Sequence, residues 1–415
     1  MPKPPLSPVP EQEPDAGARF PESPFPTEAS RSSSGSRSSA AFSRSADEPL
    51  VHEESDDCDP ENKESDSEEE DWDTDLEIEG SRKSYNSAGR AKYLEACQTY
   101  GVTPVSYFLR HMKDSELTLM HHGLGPKAAK ALALSLTNNT SIVKLNLSDN
   151  WLNGDGGAAV AEMLKENYYI TDVDLSDNKL GVKGAKALSA TLRASTTLLI
   201  LKLSGNELND HAAKYLADAF MVNNKVESLD LSHNMFGEAA GEVLGPAIAE
   251  NVGLKELNLS WNSFRGQGAV TLAKGLGANI FLRVVDLTYN GFGNSGAAAL
   301  GDALKVNNVL EELRVGNNRI SLEGALSLAL GLKENKTLKS LSMARNPIQS
   351  KGCIGILKAV RANLGTALEV LDFSEIVVRE DFVELCDAVL EVLPSLQIKH
   401  DGTSRLFRTY SSKVS

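Results

Sequence analysis

Residues 283–320 read RVVDLTYNGFGNSGAAALGDALKVNNVLEELRVGNNRI, and this stretch contains the same pattern twice. Val285 and Leu287 alternate with polar residues, Asn290 follows three places later, and Phe292 two after that; Leu313, Val315, Asn318 and Ile320 repeat the series 28 residues on. Alternation with period two predicts a short strand with one buried face. Between the two copies Gly296, Ala297, Leu300 and Leu304 fall on one face at helical spacing, and Ala298 and Ala299 add helix propensity. One unit is therefore a strand, a turn at Asn, a helix and a return loop.

Working outward, the Asn recurs at Asn150, Asn178, Asn206, Asn234, Asn262, Asn290, Asn318 and Asn346, with His122 one period before the first. An aliphatic pair precedes each one, from Leu145 and Leu147 to Leu341 and Met343. Such regularity identifies a solenoid, in which each unit covers its neighbour's apolar face. The Asn column reads as structural: each side chain turns inward and satisfies backbone groups of adjacent turns that would otherwise be buried unpaired.

The string L-x-L-x-x-N-x-[LFI] with a 28-residue period resembles the ribonuclease-inhibitor-like leucine-rich repeat proteins, over about Ser115 to Phe373. That group includes ribonuclease inhibitor, the Ran GTPase-activating proteins, tropomodulin tails and the recognition ends of NOD-like receptors. With the preceding YLEACQTYGVTPVSYFLRHM (93–112), the chain is similar to the leucine-rich repeat-containing protein 74 family. The resemblance implies an α/β horseshoe of about ten repeats, with parallel strands on the concave face and helices on the convex face. It also implies two functions: a protein-binding scaffold or, by likeness to the Ran GTPase-activating proteins, a GTPase regulator. Those proteins typically carry an acidic segment after the repeats, whereas here it precedes them.

Four segments are expected. Residues 1–85 form a Pro/Ser-rich and acidic tail with too few aliphatic residues to offset chain entropy, hence disordered. Residues 86–114 form a helical cap, in which Gly101 stops a first helix (Arg90 to Tyr100) and Thr103-Pro104 starts a second that runs through Met112. Residues 115–376 hold the repeats, the last irregular because Leu371 and Phe373 arrive two residues late and Ile376 stands where Asn is due. Residues 377–415 supply a C-terminal cap, with a helix over Asp381 to Leu393 and a strand at Leu396 and Ile398, and a polar tail.

Charge is concentrated in the tail. Between Ala46 and Gly80 there are 18 Asp and Glu against one Lys, a local −17, so the net −15 leaves about +2 for the remainder. Without a basic stripe, no nucleic-acid partner is expected. Ser65 and Ser67, before Glu68, Glu69 and Glu70, fit an acid-directed kinase, and Trp72, Leu76 and Ile78 give this run an apolar edge; a plain solubilising spacer is the alternative reading. Cys58, Cys97, Cys353 and Cys386 form no C-x-x-C pair, there is no leader-like start, and no stretch approaches a membrane span. A monomer in a reducing, cytoplasmic setting follows, with no membrane partner. No P-loop, G-x-S-x-G or H-E-x-x-H motif occurs, and His121 and His122, adjacent on a strand, face opposite ways. Neither an enzyme, a metal nor a cofactor is expected.

Function is therefore sought in the variable positions. One solvent-facing row contains Asp230, Asn258, Asp286 and Arg314; the row before each ladder Asn contains His233, Trp261, Tyr289 and Arg345. Early repeats are acidic, middle ones aromatic and late ones basic, a gradation suited to a protein partner. Asp230, Asn258, Trp261, Asp286, Tyr289, Arg314 and Arg345 are the candidate contacts. The alternatives are aromatics packing on their neighbours and arginines merely solvated.

Overall fold

The computed structural model describes residues Ala88–Asp401; the expectations for residues 1–85, Ser65 and Ser67 included, and for the polar tail lie outside the described residues. Two helices come first, α1 (Ala88–Tyr100) and α2 (Ser106–His111). Strands β1 (Glu116–Thr118), β2 (Lys144–Asn146), β3 (Asp172–Asp174), β4 (Ile200–Lys202), β5 (Ser228–Asp230), β6 (Glu256–Asn258), β7 (Val284–Asp286), β8 (Glu312–Arg314), β9 (Ser340–Ser342), β10 (Val370–Asp372) and β11 (Gln397–Lys399) then recur. Between them run α3 (Gly125–Leu136), α4 (Asn153–Glu166), α5 (Gly181–Ala194), α6 (Asp210–Phe220), α7 (Glu238–Glu250), α8 (Gly266–Ala278), α9 (Gly293–Val306), α10 (Leu322–Leu332), α11 (Gln349–Ala362) and α12 (Glu380–Leu390).

All eleven described strands form one parallel sheet in sequence order. Leu117 pairs with Leu145, and so on at 28-residue intervals to Leu341. The final intervals are 30, to Leu371, and 27, to Ile398. The two extra residues are absorbed in the loop between Asn363 and Leu368, where Leu364 bulges out 85% exposed, so strand register is kept. Strands pack about 4.8 Å apart and helices about 10 Å, which curves the array with the sheet inside. Mid-array helices approach unusually closely: a Cβ on Gly275 would lie 2.1 Å from the Gly245 carbonyl oxygen, so only glycine fits there.

The asparagine ladder forms along the whole array. Each Nδ2 donates to the carbonyl 31 residues earlier, from Asn150 to Leu119 (2.6 Å) through Asn346 to Val315 (2.8 Å). Buried Ile376 takes the place of Asn in the tenth unit. A second buried ladder, not anticipated from the sequence, runs where the helices end: Asn167, Asn223, Asn251, Asn279, Asn307, Asn335 and Asn363. Asn251, for example, donates to Phe220 O (2.7 Å) and Asn223 O (2.9 Å) and accepts from the amides of Gly253 and Leu254. In its column Ser195 breaks the series, accepting from the amides of Thr197 and Leu198.

At the N-terminal end the second helix begins later than expected. The Val105 amide donates to the Tyr93 hydroxyl at 3.0 Å, which keeps Val105 extended and delays the helix to Ser106, beyond Thr103-Pro104. Tyr93 and Phe108 meet edge to face with centroids 4.7 Å apart and are buried.

Candidate functional site

Where each strand leaves the sheet, the residue before the ladder Asn has a left-handed backbone. The φ values are +51° at His233, +54° at Trp261, +56° at Tyr289 and +59° at Arg345. Two demands fix this conformation. The Trp261 amide still bonds the next turn at Thr288 O (2.8 Å), while Asn262 must already point inward to the carbonyls of Leu231 and Leu259. A non-glycine residue there costs about 1 kcal/mol or more, which the ladder bonds offset. The consequence is that its side chain is thrown outward along the line where the strands end.

Register then brings residues 28 apart into contact. His233 and Trp261 stack with centroids 5.1 Å apart and planes 14° apart; Trp261 and Tyr289 stack at 3.8 Å and 8°. Arg345 reaches past Asn317, hydrogen-bonds the Tyr289 hydroxyl and sits 5.7 Å over its ring, while its Nε donates to Glu375 Oε1 at 2.7 Å. Glu375 holds the guanidinium's pKa above its ordinary value. The aromatics thus pack on each other, and Trp261 is still 47% exposed.

The other candidate row bonds to its own backbone. The Oδ1 of Asp230 accepts the Ser232 amide at 2.9 Å, that of Asn258 the Ser260 amide at 3.0 Å, and that of Asp286 the Thr288 amide at 2.8 Å. These are local Asx bonds that satisfy the strand's outward amide. Arg314 lies between Glu312 (2.6 Å) and Asp286 (3.5 Å); burial works to lower its pKa, but the two carboxylates outweigh that and raise it. The expected gradation from acidic to basic is corrected accordingly. Arg314 and Arg345 are neutralised by Glu312, Asp286 and Glu375, and the late repeats present ion pairs rather than free cations.

A sequence profile described as Leucine Rich repeat matches residues 138–161, 166–189, 194–217, 222–245, 251–273, 278–301, 306–329 and 334–357, in step with these units. The chain is a leucine-rich repeat protein. It is 51% identical over 66 residues to leucine-rich repeat-containing protein 74B of Homo sapiens, a match covering 16% of this chain and 17% of that one. The Mus musculus protein of the same name is 49% identical over 67 residues, again 16% and 17%. The match therefore spans about a sixth of these relatives' length. Among solved structures, the APL1 leucine-rich repeat domain gives a TM-score of 0.36 at 15% identity, over 60% of this chain and 65% of that one. The TLR13–ssRNA13 complex gives 0.38 at 16%, over 64% and 37%.

This leucine-rich repeat protein carries one more row that sequence reading passed over, just before the strands: Glu227, Lys255, Arg283, Glu311 and Lys339. Lys255 pairs with Glu227 at 2.7 Å and Lys339 with Glu311 at 2.8 Å, and Arg283 also pairs with Glu311. Lys339 first and Arg283 second hold the Glu311 carboxyl below its usual range. The 28-residue spacing of opposite charges was the available signal. Among the described residues no cluster of His, Cys, Asp and Glu could hold a metal. His121 instead pairs with Asp149 (2.6 Å), and His122 Nδ1 lies 2.8 Å from the Met120 carbonyl oxygen. No described helix is long and apolar enough to cross a membrane.

Proposed function

We propose that this chain is a non-enzymatic scaffold that binds a protein partner along the strand-exit line of its fifth to seventh repeats. The observation that carries the reading is the His233–Trp261–Tyr289 stack, partly exposed and already ordered before any partner arrives. Exposed aromatics gain most at an interface when little side-chain entropy is left to lose, and rings locked in a stack meet that condition. Asp230, Asn258, Asp286, Arg314 and Arg345 flank the stack and provide the polar rim, with their own ion pairs and Asx bonds setting their orientation. Cys97, Cys353 and Cys386 are buried and unbridged, which favours a reducing, cytoplasmic setting. We take the working form as a monomer, with Ser65 and Ser67 as phosphorylation sites that adjust the acidic segment.

The test is capture from cell extract on the full chain, on the double variant Trp261→Ala/Tyr289→Ala and on the convex double variant Lys274→Ala/Lys305→Ala. A partner retained by the convex variant and lost by the aromatic one supports the reading; the reverse pattern moves the binding face to the helices. GTP hydrolysis by a panel of small GTPases is the companion measurement, since acceleration would replace the scaffold with a GTPase activator.

A further inference from the structure

Pockets along the array that contain a lysine also contain carboxylates: Lys351 with Glu375 and Asp381, Lys274 with Asp302, Lys130 with Glu162. One pocket at the N-terminal end differs. It has a volume of about 380 Å³ and lies where α1, the segment after α2 and the loop between α3 and β2 meet. Lys92 and Lys113 both line it, and no Asp or Glu does among the described residues. Asp114, next in sequence to Lys113, is held instead by His111 Nδ1 at 2.8 Å. The walls are tied together by two side chains. Ser135 Oγ donates to Gly89 O at 2.9 Å, joining α3 to α1. Asn139 Nδ2 donates to Met112 O at 2.7 Å, and its Oδ1 accepts the amides of Ser141 (2.9 Å) and Ile142 (2.8 Å). The side chains of Lys92, Lys113, Asn138 and Thr140 are left over, making no ion pair or hydrogen bond with a described residue. A braced wall thus carries two ammonium groups, an amide and a hydroxyl, all able to donate.

We propose that this pocket binds one phosphomonoester, borne by a phosphorylated serine or threonine side chain of a protein. The site is separate from the strand-exit line and does not rest on it. A phosphomonoester carries about −1.5 to −2 charges at pH ~7 and three strong acceptor oxygens. Two ammonium point charges balance that charge, and the free amide and hydroxyl meet the remaining acceptors. A carboxylate would leave one ammonium unbalanced. A polyphosphate would exceed the two cations, and no aromatic side chain among the described lining residues offers a face on which a nucleotide base could stack. Lys113, Asn138 and Thr140 are exposed, so the pocket admits a group still attached to a chain, and its volume exceeds that of a lone phosphate ion.

Met112, buried in the pocket wall, supplies the probe. The full chain is prepared with isotopically labelled methionine methyl groups, and the Met112 signal is assigned by its loss in Met112→Leu. Acetyl-phosphoserine amide, acetyl-aspartate amide and inorganic phosphate are titrated in chloride at matched ionic strength. The phosphoserine compound should give a saturable shift of the Met112 signal, with half-saturation at least about threefold higher for the aspartate compound. Lys92→Met/Lys113→Met should abolish the shift and Thr140→Val should raise half-saturation about threefold, whereas the convex Lys274→Met should leave it unchanged. Denaturation midpoints equal to that of the unmodified chain establish that the variants are folded. Should the double variant be destabilised, Lys92→Gln and Lys113→Gln are read singly, each expected to weaken binding about threefold or more. No saturable shift, equal responses to phosphoserine and aspartate, or an unchanged response without the lysines would overturn the proposal. Half-saturation lower with acetyl-phosphoserine amide than with inorganic phosphate assigns the group to a phosphorylated side chain. Equal or reversed order would give the pocket to the free ion and overturn that assignment.

Discussion

Replacing Asn234 by alanine removes five hydrogen bonds from one buried point. Its Nδ2 donates to the carbonyls of Leu203 (2.9 Å), Leu231 (3.1 Å) and Ser232 (2.9 Å), and its Oδ1 accepts the amides of Asn206 (3.0 Å) and Leu208 (3.0 Å). A buried donor left without its acceptor costs roughly 1–3 kcal/mol, so two such amides alone give about 2–6 kcal/mol. Water can enter beside the exposed His233 and recover part of this, which places the expected loss near 3 kcal/mol. Asp230→Ala, four residues away, removes a single bond to the Ser232 amide and should cost about 0.5–1.5 kcal/mol, more than a merely solvated residue would. Both are measured by urea denaturation of the full chain, followed by circular dichroism and by tryptophan fluorescence. Two probes are needed because repeat arrays can unfold in parts. Equal losses in the two variants would mean that the ladder is no more than one polar contact among many.

Ser195→Asn should stabilise the protein by about 0.5–1.5 kcal/mol, because asparagine can donate to the preceding repeat as Asn251 does to Phe220 O and Asn223 O; an unchanged or lower urea midpoint would contradict this. Burial pushes the Cys353 thiol up to about 12 and Cys386 to about 11, so neither should be alkylated at pH 8 until denaturant is added, as read by peptide mass spectrometry. Unfolded thiols ionise near pH ~8.5. The fold therefore holds its protons longer, and stability from this source is whole below that pH and falls as pH rises toward 11 and 12, a slope that Cys353→Ala should reduce.

The repeat was legible because every unit solves the same packing problem. Val285, Leu287, Asn290 and Phe292 announce strand, turn and core without knowledge of any distant contact, and the late arrival of Leu371 marked the irregular unit. The second ladder obeys the same arithmetic, but Asn251 and its counterparts lie outside the strand string, and Ser195 interrupts them. The Asx role of the outward row was also readable in principle: Asp230, Asn258 and Asp286 are each followed two residues on by Ser232, Ser260 or Thr288. Other features depend on geometry that no local pattern encodes. That Trp261 and Tyr289 stack face to face follows from the left-handed turn before the ladder Asn, which sets where their side chains point. That Arg345 is neutralised depends on Glu375, placed by the 30-residue interval of the ninth unit.

Partner binding along the strand-exit line is tested by the affinity of a captured partner for the full chain and for Trp261→Ala, with the convex Lys274→Ala as control and equal denaturation midpoints for all three. The Kd should weaken about 30-fold or more for Trp261→Ala, a loss of about 2 kcal/mol, and change less than about threefold for Lys274→Ala. A partner that binds Trp261→Ala as tightly as the unmodified chain, and loses its affinity for Lys274→Ala, would contradict binding along that line.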